Sequence, residues 1–92
     1  MLLGDIARQR GDTERATVVY QTTLEVFEQI NDDWGQADVL RRLGSSSAET
    51  GQAQVALRYL ERARECYERL GASDLAADLE LEIQQLGSEA PA

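Results

Sequence analysis

Histidine is absent from this 92-residue chain, which removes the commonest general base and the commonest metal ligand. A single cysteine, Cys66, permits no intrachain disulfide and fits a reducing compartment. Proline occurs once, at Pro91, so the body of the chain lacks the main helix breaker. No apolar run approaches the roughly 20 residues of a membrane helix. The opening Met1-Leu2-Leu3-Gly4-Asp5-Ile6 is too short and too soon charged for a signal peptide. The expectation is a soluble cytoplasmic protein. Positive charge is also scarce: 9 basic against 17 acidic residues give a formal net charge of −8. Nucleic-acid backbones and anionic membranes both demand clustered cations, so neither is expected as a partner. An acidic balance favours solubility and, mildly, basic partners. A chain of this length makes at most one small domain with a thin core.

What is present is an internal echo. Shifted by 40 residues, the sequence superposes Leu3 on Leu43, Gly4 on Gly44, Gly11 on Gly51, Ala16 on Ala56, Glu25 on Glu65 and Glu28 on Glu68. Phe27 falls on Tyr67 and Ile30 on Leu70. A period of this size signifies stacked helical units, each too small to bury its own apolar face. Ala, Leu, Glu, Arg and Gln, all good helix formers, dominate the composition.

Five helices are expected, at about 2–10, 13–30, 33–50, 53–70 and 73–86, with boundaries good to about ±3 residues. Gly11 and Gly51 supply one pair of stops, Asn31 and Gly71 the other. Gly and Asn enter the left-handed region most easily, as helix C-termini require. Asp12, Asp32 and Ser73 offer side-chain caps to the helices that follow. Apolar residues recur at spacings of three and four. The second helix presents Ala16, Val19, Tyr20, Thr23, Phe27 and Ile30, and the fourth Ala56, Tyr59, Leu60, Ala63, Tyr67 and Leu70. The third presents Ala37, Leu40, Leu43, Gly44 and Ser47, and the fifth Leu75, Ala76, Leu79, Ile83 and Leu86. Small residues recur where antiparallel helices would touch: Gly44 with Ala56 about Gly51, and Gly4 with Ala16 about Gly11. Residues 87–92 have no apolar period and are expected to form a flexible tail.

The ordered set Leu40, Leu43, Gly44, Gly51, Ala56, Leu60 and Ala63 resembles a tetratricopeptide repeat. Leu3, Gly4, Gly11, Ala16 and Tyr20 repeat the pattern one period earlier. The long period is similar to that of the subgroup found in kinesin light chains and bacterial signalling regulators. The resemblance implies an all-α fold, with antiparallel helical hairpins stacked as a short right-handed solenoid. On this reading 1–86 is one array: repeat one at about 1–32, repeat two at about 33–72 and a capping helix at about 73–86. Ala7 and Ser47 stand where the family usually has an aromatic, and Gln84 where it has Gly.

The resemblance implies a non-catalytic scaffold that binds a protein or peptide on the concave face lined by first helices. The alternative is a regulatory or sensor segment of a larger bacterial signalling or transcription-regulatory protein. Carried over position by position, the face comprises Asp5, Arg8 and Gln9, then Asp38, Arg41, Arg42, Ser45 and Glu49, then Asp78, Glu82 and Gln85. Arg41 and Arg42 suit a carboxylate through forked hydrogen bonds. The lysine-and-asparagine clamp for C-terminal carboxylates is missing, since the chain has no lysine. Only Met1 and Leu2 precede Leu3, whereas about ten helical residues precede its counterpart Leu43. The opening helix is thus about two turns short. The expectation is either membership of a longer array or self-association, as a homodimer, through Met1, Leu2, Leu3, Ile6 and part of the second helix.

No catalytic residue, metal site or cofactor is expected. Cys66 has no histidine to activate it and reads as an inert, partly buried thiol. Asp32-Asp33 lacks a cation-binding loop and reads as capping. Gly44-Ser45-Ser46-Ser47 lies within a helical pattern rather than after a strand, so it is no phosphate loop. Trp34 is expected to pack at the junction between repeats.

Overall fold

The computed structural model describes residues 3–89. Five helices follow one another: α1 (Leu3–Gln9), α2 (Thr13–Gln29), α3 (Asp33–Glu49), α4 (Ala53–Arg69) and α5 (Ser73–Glu89). From α2 onward every helix has 17 residues and every connection has three. The turn residues Gly11, Asn31, Gly51 and Gly71 all have positive φ, at 82°, 56°, 78° and 74°. They recur every 20 residues, half the period seen in the sequence. At each turn the left-handed residue donates its N–H to the carbonyl three residues back, and the next residue to the carbonyl five back, at 2.8–3.2 Å. These bonds satisfy carbonyls that a helix end leaves open.

The residue after each left-handed position immediately precedes the next helix. The side chains of Asp12 and Asp32 accept from the N–H groups of Arg15 and Gly35, both at 3.0 Å. Gln52 occupies the same place before α4 and makes no such bond. Ser73 does not cap α5. It is the first helical residue, and the Ala72 carbonyl accepts from Ala76 at 3.0 Å. The α5 helix runs on to Glu89, so Gly87 and Ser88 are helical.

Consecutive helices pack against each other as stacked antiparallel hairpins, with Cα extents of 33 × 33 × 18 Å. The short dimension accommodates two layers of helices, each about 10 Å across. The hairpins close where a bulky side chain sits on a glycine. A methyl group placed on Gly44 would lie 2.6 Å from Leu60 Cδ2 and 3.4 Å from the Ala56 carbonyl oxygen. Gly4 meets the Tyr20 ring in the same way, and Gly35 meets Phe27 across the junction between hairpins. The small residues do mark close approaches, but the seat of each is filled by the residue four beyond the expected alanine.

The core differs in detail from the spacing-based faces. Leu24 is buried, whereas Ile30 is 63% exposed. On α3, Val39 and Ser46 join the expected buried residues, because this helix is covered by α2 on one side and α4 on the other. Cys66 is buried. Trp34 leans on Tyr67 with ring centroids 6.2 Å apart yet remains 53% exposed.

Two stability predictions follow from these seats and caps. Gly44→Ala should lower the unfolding free energy by about 1–2 kcal/mol, because overpacking at the buried Leu60 outweighs the gain in helix propensity. Gly87→Ala, with open space around it, should instead raise it by up to about 1 kcal/mol. Equal urea midpoints for the two variants would contradict the packing account. Gln52→Asp should stabilise by about 0.5–1 kcal/mol through a new cap and a favourable charge at the start of α4. A lowered urea midpoint at unchanged slope would count against that cap.

Candidate interaction face

The first helix of each unit, α1, α3 and α5, contributes to one side of the stack, and arginines tie the three together. Arg8 of α1 places its guanidinium on Glu49 of α3, with Nε 3.0 and 3.1 Å from the two carboxylate oxygens. Arg42 of α3 donates to Asp5 of α1 and, at 3.2 Å, to Asp38 one turn back on its own helix. Arg41 lies 3.7 Å from Glu82 of α5. Asp5, Arg8, Gln9, Arg42 and Glu49 line one open polar depression. Gln9 and Asp78 are exposed and Ser45 is half-buried. Ser46 and Ser47 point inward instead, and the Ser46 hydroxyl is buried without a hydrogen-bond partner.

The three arginines on this face are therefore already matched to carboxylates of the same chain. Each pair is partly open to solvent, which limits its worth to about 0–1 kcal/mol. The hydrogen bond from Arg8 holds the Glu49 carboxyl below its usual range. Burial pushes the Asp38 carboxyl above its own, against the pull of Arg41. Among the ten residues carried over from the resemblance and central to this face, five are carboxylates and three guanidiniums. The face is thus mildly acidic, and the Arg8 and Arg42 guanidiniums are already hydrogen-bonded to carboxylates, while Arg41 is held only at ion-pair distance from Glu82.

Asp5 is the most enclosed carboxylate of the set, with 15% of its side chain exposed. One oxygen takes the Arg42 guanidinium and the other accepts from the Tyr20 hydroxyl of α2. Tyr20 itself is fully buried, and burial pushes its phenol above the ordinary range. This three-helix tie was visible only as a joint departure between repeats. Asp5 and Tyr20 stand where the second repeat has Ser45 and Leu60.

Of the residues expected at the N-terminal end, Ile6 is half-buried beside Ala7 and Val19. Met1 and Leu2 lie outside the described residues, as does the side chain of Leu3. No helix among the described residues is long and apolar enough to cross a membrane. Nor do those residues gather three or more His, Cys, Asp or Glu side chains fit to hold a metal ion. A family model described as tetratricopeptide repeat matches residues 1–79. No curated protein and no solved structure matches the chain.

Asp5→Ala should cost about 1–3 kcal/mol of stability, because it strands the buried Tyr20 hydroxyl and removes the main partner of Arg42. Tyr20→Phe should cost less, about 0.5–1.5 kcal/mol, since Asp5 keeps its guanidinium. Chemical denaturation of both variants checks the order. An Asp5→Ala protein as stable as wild type would remove Asp5 from the framework.

Proposed function

The chain belongs to the tetratricopeptide repeat family, and from that premise we propose that it is a non-catalytic scaffold holding a segment of another protein against the face of α1, α3 and α5. The observation that supports this reading is the convergence of Asp5, Arg8, Gln9, Arg42 and Glu49 on one depression between α1 and α3. Their internal pairing supports one partner chemistry over the other. An acidic segment competes with the carboxylates that Arg8 and Arg42 already hold. A basic or polar segment meets surplus negative charge without breaking those pairs. Asp78 is the carboxylate best placed to serve it, being exposed and, among the described residues, outside every ion pair. The partner is thus a basic, extended or helical protein segment, and recognition rests on shape and polarity along a preformed groove.

Fluorescence anisotropy with labelled peptides of one length and basic, neutral or acidic composition tests the proposal. Basic peptides should bind at least about tenfold more tightly than acidic ones, with affinity falling as salt rises. Asp78→Arg should weaken the basic peptides about threefold or more while leaving helicity intact. Preference for acidic peptides, or indifference to Asp78→Arg, would refute the assignment of partner chemistry.

A further inference from the structure

A second groove lies between the first halves of α2 and α4, over the C-terminal end of α3. It shares no lining residue with the depression between α1 and α3. Thr17 and Gln21 come from α2, Ser47 from α3, Thr50 from the turn that follows, and Val55 and Tyr59 from α4. Gln21 donates to the Tyr59 hydroxyl at 3.4 Å and so joins the two walls.

Three of these side chains are polar where the other repeat is apolar. Across the 40-residue offset Thr17 answers to Leu57, Tyr59 to Val19 and Ser47 to Ala7. Hairpin packing is met by apolar residues at those positions, so packing alone does not account for the polar ones. They are departures from the repeat, and they gather at one place.

Charge is scarce in this groove. None of the nine arginines lines it, and its one carboxylate, Glu14, is exposed. The state of each hydroxyl narrows the ligand further. Thr17 donates to the Thr13 carbonyl at 2.9 Å, and Thr50 to the Ser47 carbonyl at 3.0 Å. Their protons are spent, so these two oxygens can only accept from a ligand. Tyr59 accepts from Gln21 and keeps its own proton to give. Ser47 is only 8% exposed, and its hydroxyl forms no hydrogen bond among the described residues. A buried hydroxyl without a partner is costly until something pairs with it. The groove thus offers two acceptors and two donors. A carboxamide carries two N–H donors and a carbonyl oxygen with two lone pairs. An ammonium has no acceptor for the Ser47 and Tyr59 protons, and a carboxylate has no donor for Thr17 and Thr50. Val55 and the Tyr59 ring add apolar surface for a methylene stem.

We infer that the groove between α2 and α4 receives the carboxamide side chain of a glutamine or asparagine carried by another protein. Its volume of about 290 Å³ falls below the ~300–1,000 Å³ of sites for drug-sized ligands, which suits one side chain rather than a cofactor. The inference is independent of the partner proposed for the face of α1, α3 and α5.

Two-dimensional amide NMR of the chain, titrated with N-acetyl-glutamine methylamide, tests it. Saturable shifts should be confined to the groove, with the millimolar dissociation constant of a one-residue ligand. N-acetyl-alanine methylamide, which offers main-chain amides alone, should give none. The lysine and glutamate derivatives should bind at least about fivefold more weakly. Ser47→Ala should weaken the glutamine derivative about threefold or more. Its unfolding midpoint should be no lower than that of wild type, since the lost hydroxyl has no internal partner. If Ser47→Ala loses helicity, Tyr59→Phe should show the same weakening. Asp78→Arg, on the other face, should leave the shifts unchanged. No saturable shift, an equal response to the alanine or charged derivatives, or full binding by folded Ser47→Ala would each overturn the inference. So would loss of the shifts in Asp78→Arg. None of these outcomes bears on peptide binding by the other face.

Discussion

Close approach of helices at positions without a side chain is the constraint on which this structure rests. Leu60 sits on Gly44, Tyr20 on Gly4 and Phe27 on Gly35. Each contact brings two helix axes nearer than a pair of larger residues would allow. A chain this short has little apolar surface to bury, so its core must reach native density by proximity rather than by bulk. The benefit is greatest at α3. Flanked by α2 and α4, it buries Ala37, Val39, Leu40, Leu43, Gly44, Ser46 and Ser47, which together include only three large apolar side chains. Small residues let that helix serve two neighbours at once.

Much of this was legible in the sequence because it is written in local chemistry. The left-handed turns had to fall on Gly or Asn, and Asp12 and Asp32 followed as caps. The all-α class and stacked hairpins followed from the 40-residue echo. What the pattern did not disclose was angular. A spacing of three and four defines a side of a helix but not which neighbour covers it. Ile30 therefore joined the expected core face although it is largely exposed among the described residues, while the buried Leu24 was passed over. Close helix packing was one role open to the serine run of α3, and the burial of Ser46 and Ser47 fits their small size. The tie of Asp5, Tyr20 and Arg42 required knowing that three helices meet at one point.

The ion pairs on the face of α1, α3 and α5 couple its recognition chemistry to its architecture. Individually such half-exposed pairs contribute little. Collectively they orient long side chains that would otherwise sample many rotamers, so a partner meets a surface whose entropy cost is already partly met. Arg42 links two carboxylates on different helices, and one of them also receives the Tyr20 hydroxyl. A ligand that draws Arg42 away consequently loosens the attachment of α1 to the rest of the stack. A ligand that adds positive charge beside Asp78 leaves the tie undisturbed. The proposed preference for basic segments thus draws on the same contacts that hold the hairpins in register.

Repetition also explains why the two ends of the stack are unequal. A residue in a repeated unit takes its environment from the adjacent unit, so identical positions have different fates inside and at the edge. Cys66 and Val26 occupy the same place in their helices, yet one is buried and the other half-exposed. The sequence has adjusted one end to this circumstance: beyond α4 lie Glu61, Arg64 and Glu68, groups that water solvates readily. It has not adjusted the other, where valine and isoleucine remain at positions that interior packing would justify. Val26 and Ile30 keep there the apolar character that their counterparts Cys66 and Leu70 use inside the stack.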